Sequence, residues 1–384
     1  MRVVIAPDKF KGSLSASEAA EAMARGVARV APGASIDRVP MADGGEGTVA
    51  ALVAATGGSF REVVVHGPMG ESLSARFGLL GDGRTAAIEM AAASGLVLVP
   101  IERRDPMVAT TRGTGELLLA AIGAGARRVI VGIGGSATND GGAGLGQALG
   151  FRLFDDEGRE LGPGGGGLGG LARIDASGRR PELHGVEVAV ACDVTNPLCG
   201  PKGASAVYGP QKGATPAMIG VLDANLAHFA AIVERDLGVS IRDLPGSGAA
   251  GGLGGGLVAF AGGRLEPGIN LVIEAVDLRS RLQGADLCLT GEGALDDQSA
   301  FGKTAVGVGR LARSLGCPVL ALAGSIGPGA ESTLDHGLDA YFSICPGPIA
   351  LDQAMAGAAE LLEEATAQAV RAFLAGRRPE PRHE

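Results

Sequence analysis

The five cysteines of this 384-residue chain (Cys192, Cys199, Cys288, Cys317 and Cys345) include no C-x-x-C pair. An odd set without that spacing supports neither a zinc knuckle nor a disulfide framework, so a reduced, cytoplasmic setting is expected. Aromatic residues make up only 3% of the chain, no Lys/Arg cluster is interleaved with them, and the formal net charge is −9. No nucleic-acid partner is therefore expected, and small-molecule chemistry is favoured. His66, His184, His228, His336 and His383 show no zinc-pair spacing, and no G-x-S-x-G elbow accompanies them. His228, within "LDANLAHFAAIVERDL", reads as a helix-surface residue. No run of about 18 uncharged apolar residues occurs. The opening "MRVVIAP" is too short an apolar run for a signal peptide, so neither a membrane partner nor a leader is expected.

Glycine and apolar residues are abundant. There are 66 glycines, clustered in short runs between apolar segments without a G-X-Y period, and hydrophobic residues reach 46%. This length and content suit two compact domains, each with a real core. "RVVIA" (2–6) reads as a strand, and the segment after it carries apolar positions at 16, 20, 23, 27 and 30, one helical face. Ser15 and Glu18 form a capping-box pattern, Pro32-Gly33 stops the helix, and "IDRVPM" reads as the next strand. The alternation returns late in the chain with "DLCLT" (286–290), a helix over about 304–315, "PVLALAG" (318–324), "AYFSI" (340–344) and one long final helix. In between, "FREVVVHGPMG", "SARFGLLGDGRTAAIEM" and "VEVAVACD" read as strands joined by short turns, as in a mixed sheet. The expected domains are 1–58 with 281–384, and an inserted 59–280, in which 113–150 fits either. "GPGGGGLGG" (162–170) reads as a flexible loop and "GRRPEPRHE" as a disordered tail.

"TGEGALDDQSAFGKT" (290–304) ends in Gly-Lys-Thr, which poses the question of a phosphate-binding P-loop. Walker A geometry needs glycine where this chain has Asp297, and a carboxylate there would meet the phosphate. The Walker reading fails. In "VIVGIGGSA", Gly132, Gly134 and Ala137 fit the dinucleotide fingerprint G-x-G-x-x-A, with Asp155 near the ribose position, which keeps a nicotinamide-dependent sugar-acid dehydrogenase open. A tight glycine turn is the plainer reading, but it leaves Ser136, Asn139 and Asp140 unexplained beside it. Polar residues recur after other strand candidates: Asp8, Lys9 and Lys11; Asp43 and Glu46; Asp193 and Asn196; Glu292. Each alone fits a cap or an Asx-turn. Together they match what phosphoryl transfer needs, namely carboxylates for Mg²⁺ and a hydroxyl, lysines for phosphate oxygens, and glycine amides. "GSGAAGGLGGGLVAF" (246–260) fits either an anion loop or close backbone packing.

The blocks "IAPDKFKGSLSASEAA", "ADGGEGT", "IEMAAASGL", "TRGTGE", "GIGGSATNDGGAG", "ACDVTNPLCG", "GPQKGA", "GAAGGLGGGL" and "TGEGALDDQS" follow in order nearly end to end. In them the chain resembles the bacterial class I glycerate kinases. That resemblance implies ATP-dependent phosphorylation of D-glycerate, 2-phosphoglycerate as product with 3-phosphoglycerate the alternative, and ATP and Mg²⁺ as cofactors. It also implies a flavodoxin-like parallel-sheet α/β domain built from both chain ends, with a second α/β domain inserted; the mixed sheet expected there is the segment reading above. The expected state is a monomer or homodimer. The pattern T-G-E-G-x-x-D-x-Q-S-x-x-G-K falls on Glu292, Asp296, Gln298, Ser299 and Lys303, the first block on Asp8 and Lys11, and "GPQKGA" supplies Lys212. Asp193, Asp296 and Lys11 are the expected catalytic residues, with Asp193 orienting or deprotonating the glycerate hydroxyl and Asp296 its competitor. Asp8, Ser136, Asn139, Asp140, Asn196, Lys212, Glu292, Gln298, Ser299 and Lys303 are the expected substrate and nucleotide contacts. Asp43 and Glu46 either hold metal or cap the following helix. A non-catalytic binding protein for small acids on the same scaffold stays open.

Overall fold

The computed structural model describes residues 1–297, 299 and 303–377. Gln298, 300–302 and 378–384 lie outside the described residues; of the expected C-terminal tail only Gly376, the last residue of the final helix, and Arg377 are described. In chain order the strands are β1 (Arg2–Ile5), β2 (Ser35–Arg38), β3 (Ser59–His66), β4 (Ser72–Leu79), β5 (Thr85–Glu89), β6 (Arg128–Gly132), β7 (Arg152–Phe154), β8 (Arg173–Asp175), β9 (Glu187–Ala191), β10 (Arg264–Glu266), β11 (Leu287–Leu295), β12 (Val319–Ile326) and β13 (Ala340–Ser343). Two compact units result. Met1–Asp43, Ala50–Ala55 and the described part of Val272–Glu384 form the first, and Gly44–Val49 with Thr56–Leu271 the second. All five cysteines are free.

The first unit is a five-stranded parallel sheet in the order β13-β12-β11-β1-β2. Within the unit this is the 2-1-3-4-5 winding of flavodoxin-like folds. Its inner strands bury Val3, Val4, Ile5, Leu287, Leu289, Ala321 and Leu322, the near-continuous apolar run of strands covered on both faces. The helix Ala16–Val30 opens with the expected capping box: Glu18 N donates to Ser15 Oγ (3.2 Å) and Ser15 N donates to Glu18 Oε2 (2.8 Å). It crosses the helix Ala358–Gly376 at Gly26, where a Cβ would stand 2.4 Å from Glu363 O. The single long final helix expected from the apolar repeat is two, Leu351–Ala356 and Ala358–Gly376, interrupted at Gly357.

The second unit holds a six-stranded mixed sheet, β10-β9-β6-β5-β4-β3. Its first four strands run parallel, while β4 is antiparallel to both β5 and β3. A small antiparallel pair, β7 with β8, lies apart from it. The helix Pro216–Leu237 is long and apolar enough to cross a membrane by length and composition. Here it is a core helix: Leu222, Leu226, Phe229 and Val233 are buried, and Asn225 Nδ2 donates to Gly165 O and Gly166 O, each at 2.9 Å. His228 is at its surface, bonded to Leu171 O at 2.7 Å.

Two glycine tracts differ from the simplest sequence reading. The tract expected to be a flexible loop contains a 3₁₀ turn, Gly165–Gly170, with Leu168 buried, and a Cβ on Gly165 would come within 2.2 Å of Asn139 O. Of the two readings for 246–260, close packing accounts for the glycines. Gly251 has φ +69° and would place a Cβ 1.9 Å from Thr138 O, and Gly256 would place one 2.5 Å from Gly141 O.

Candidate active site

Two groups of the expected residues form, one in each unit. In the first unit β1 ends at Ile5, but the chain continues beside β11, with Ala6 N donating to Leu289 O (2.7 Å) and Asp8 N to Gly291 O (2.8 Å). The main correction concerns "TGEG". Glu292 does not follow a strand: Gly291, Glu292 and Gly293 are inside β11, which runs on to Leu295. A Cβ on Gly291 would lie 2.1 Å from Leu322 O, and one on Gly293 would lie 3.0 Å from Lys11 N. These glycines let β12 and the turn after β1 approach, so the loop proper starts at Asp296.

Asp8 is 8% exposed; its Oδ1 accepts from Lys9 N (2.6 Å) and its Oδ2 from Thr304 Oγ1. Burial pushes its pKa up to about 6, against the Thr304 hydroxyl and with the help of Asp43. Glu292 is 9% exposed, and burial pushes it up to about 7; Lys303 opposes this while Asp8 and Asp296 add to it. Its Oε1 is buried without a hydrogen-bond partner among the described residues. Lys303 occupies the N-cap position of the helix Thr304–Ser314, its Nζ 4.0 Å from Asp296 Oδ1. Ser299 is buried and ties the loop back, accepting from Asp296 N and donating its own N–H to Asp296 Oδ1, both at 3.3 Å. Lys11 is exposed on a turn closed by Phe10 N donating to Leu14 O (2.8 Å). Gln298 lies outside the described residues. Thr304 was missed by the sequence reading, although it directly follows the Gly-Lys pair.

Asp43 is half-buried in the first unit, whereas Glu46 is exposed and belongs to the second. At the start of the helix Thr48–Thr56 the capping acceptor for Val49 N is a residue the sequence did not single out, Glu89 Oε1 at the end of β5 (2.9 Å). No group of three or more His, Cys, Asp or Glu able to hold a metal ion forms among the described residues.

In the second unit the chain leaves β6 and carries Ser136, Asn139 and Asp140 into buried positions. Asp140 Oδ2 accepts from Thr111 N and Thr111 Oγ1, both at 2.9 Å, and from Gly144 N at 3.2 Å; Oδ1 accepts from Gly142 N at 3.0 Å. Burial raises its pKa while these four donors pull the other way. Lys212, on the 3₁₀ turn Pro210–Lys212, is 1% exposed and donates to Ser136 Oγ (2.6 Å) and Thr138 O (2.7 Å). Burial lowers it to about 7, and the Asp140 charge opposes that. Asn139 Nδ2 donates to Ser205 Oγ (2.9 Å), and its Oδ1 has no partner among the described residues.

Asp193 is exposed two residues after β9, and its Oδ1 accepts from Gly268 N (2.9 Å) at the start of the helix Gly268–Ala275. Asn196 is committed to its own loop: Nδ2 donates to Lys202 O and Oδ1 accepts from Tyr208 OH, both at 2.8 Å. The dinucleotide fingerprint fails in detail. After Gly132 the next helix in the chain starts only at Ala143, so the glycine turn does not open directly into it as the fingerprint requires. Asp155 is bonded to Arg159 at 2.9 Å within its own turn.

A flavodoxin-like sheet with one buried carboxylate past β1 and another inside β11, and a second unit whose buried Lys212 bonds the segment after β6, define an α/β enzyme equipped for transfer of charged groups. The chain belongs to the glycerate kinase family, whose family model matches residues 3–374. It is 57% identical over 363 residues to the glycerate kinase of Bacillus subtilis (strain 168), covering 94% of this chain and 95% of that one. It is 52% identical over 358 residues to the glycerate 2-kinase of Escherichia coli (strain K12), covering 93% and 94%. A crystal structure from Salmonella typhimurium LT2, provisionally described as glycerate kinase 2, superposes with a TM-score of 0.90 at 49% identity over 98% of this chain and 99% of that one.

Proposed function

We propose that this protein transfers the γ-phosphoryl group of ATP to the 2-hydroxyl of D-glycerate, giving 2-phosphoglycerate and ADP. The observation that carries the reading is family membership together with 52% identity, nearly end to end, to a protein named glycerate 2-kinase. The same reading makes it a soluble, cytoplasmic phosphotransferase, monomeric or homodimeric, without nucleic-acid or membrane partners. It also assigns the two units to an end-built flavodoxin-like domain and an inserted one.

The donor set suits Mg²⁺. Glu292 Oε1 is a buried carboxylate oxygen without a partner among the described residues, and the Asp8 charge acts on it. Magnesium is commonly held by one or two carboxylates plus water and substrate phosphates. Asp8 and Glu292 would hold it, with Asp43 acting on Asp8 as a further negative charge. When bound, the ion neutralises charge on the ATP phosphates. Lys303 and Lys11 bind phosphate oxygens, Lys303 from the N-cap position of its helix. Asp296 and Ser299 hold each other in place through their mutual hydrogen bonds. Asp193 accepts the proton of the attacking hydroxyl, and its bond to Gly268 N fixes the carboxylate. Ser136, with Lys212 behind it, binds the glycerate carboxylate, and Asn139 and Asp140 hold that segment. Asn196 acts as a positioning residue, since both ends of its amide are spent on its own loop.

ADP release from ATP, Mg²⁺ and D-glycerate tests this directly. A change in NAD(P)H fluorescence on binding, without ADP release, would favour a dehydrogenase. Thermal stabilisation by glycerate without turnover would favour a binding protein.

A further inference from the structure

Lys212 and Ser136 make an unusual pair, because their two hydrogen-bond partners constrain the proton differently. Thr138 O is a carbonyl and only accepts, so one N–H of Lys212 is always directed at it, 2.7 Å away. Ser136 Oγ, 2.6 Å from Nζ, can accept or donate. Facing an ammonium, which has only donors, Ser136 must accept, and its own O–H is released toward whatever lies on its other side. Facing a neutral amine, Ser136 gives its proton to the nitrogen lone pair and presents only oxygen lone pairs outward. Of the two buried residues the serine is the more exposed, at 6% against 1% for the lysine, which leaves it nearer to solvent than the cation.

We propose that Ser136 and Lys212 form a proton-gated anion site, in which the charged lysine frees the serine hydroxyl to donate to the carboxylate of the substrate. The carboxylate assignment rests on the D-glycerate reading above; the gating does not. Burial lowers Lys212 to about 7, so both states are reached near neutral pH. Asp140 is the charged group that acts on it and holds it partly protonated. Arg104, on the segment packed against this turn, directs its guanidinium to Val99 O and Gln211 O. A bound anion favours the ammonium twice, by charge and by accepting the released hydroxyl. Binding therefore draws a proton onto Lys212 when the pH is above its ligand-free value.

The test is calorimetric titration of the full chain with D-glycerate, with ADP and Mg²⁺ present, from pH 6 to 9 in buffers of different ionisation heat. The pair predicts a Kd nearly constant below about pH 6.5 that climbs toward tenfold per pH unit above about pH 7.5. Uptake should approach about one proton per glycerate at pH 8. Ser136→Ala, which keeps the lysine, should weaken binding about tenfold at pH 6 and little at pH 9. Lys212→Met should bind weakly, with no proton uptake and no pH dependence; if it does not fold, Ser136→Ala decides alone. A wild-type Kd constant across the range without proton uptake, or an equal loss in Ser136→Ala at both ends, would overturn the gating. If glycerate binds at no pH, sulfate, which does not titrate in this range, replaces it. Sulfate binding with the same proton uptake sustains the pair and sinks the glycerate assignment, and binding of neither anion overturns the pair.

Discussion

At Glu292 burial opposes ionisation, with Asp8 and Asp296 reinforcing it and Lys303 and Ser299 pulling the other way, so its pKa rises from 4.5 to about 7. Asp8 rises from 3.8 to about 6, again through burial first. A carboxyl whose proton is held more tightly in the folded state stabilises the fold below its unfolded pKa, and that contribution is lost as pH rises through the folded value. For Glu292 the window runs from about pH 4.5 to about pH 7. In metal-free protein, Glu292→Gln should therefore raise the melting temperature at pH 8, by up to roughly 3 kcal/mol in stability, and leave it unchanged at pH 4.5. A variant less stable than wild type at pH 8 would show that the ionised carboxylate is already compensated. Asp193→Asn separates two roles at one residue, because an amide oxygen can still accept from Gly268 N but cannot take a proton. Turnover should fall about 10²- to 10⁴-fold with the melting curve preserved; near-normal turnover would leave Asp193 as a helix cap and move the base to Asp296. Lys303→Met should lower kcat by about 10²-fold if the charge acts mainly in the transition state. A rise in the KM for ATP alone would restrict the lysine to ground-state binding, and unchanged kinetics for both substrates would remove it from the phosphate site.

At the scale of elements, glycine fixes how closely the loops pack. Gly251, in the left-handed region at φ +69°, lies where a methyl group would be 1.9 Å from Thr138 O. Gly251→Ala should destabilise the second unit by more than about 2 kcal/mol, read as a lower urea midpoint; an unchanged midpoint would mean that the 138–140 segment can yield. Helix starts and apolar strands were legible in the sequence, because Ser15 with Glu18 and runs such as Val3–Ile5 state their structure locally. The course of β11 was not. "TGEG" reads as a loop because glycine disfavours strands, and only β12 beside it, with Leu322 O over Gly291, explains why a side chain is excluded there. Glu89 was equally hidden, since a cap supplied from 40 residues away leaves no local pattern. Asp8, Glu292 and Lys212 were picked out by residue type and resemblance, but their burial, and hence their displaced proton affinities, comes only from the fold.

For the molecule as a whole, one unit is a flavodoxin-like sheet carrying Asp8, Glu292 and Lys303, and the other is a mixed-sheet unit carrying Ser136, Lys212 and Asp193. The reaction of the chain is phosphorylation of D-glycerate, with the 2-hydroxyl as the acceptor in the reading above. Enolase discriminates the products, because it dehydrates 2-phosphoglycerate and leaves 3-phosphoglycerate untouched. The decisive measurement is formation of phosphoenolpyruvate from ATP, Mg²⁺, D-glycerate and this protein with enolase as the sole coupling enzyme. The account predicts phosphoenolpyruvate in step with ADP from the start of the reaction. ADP release with phosphoenolpyruvate appearing only after phosphoglycerate mutase is added would contradict it.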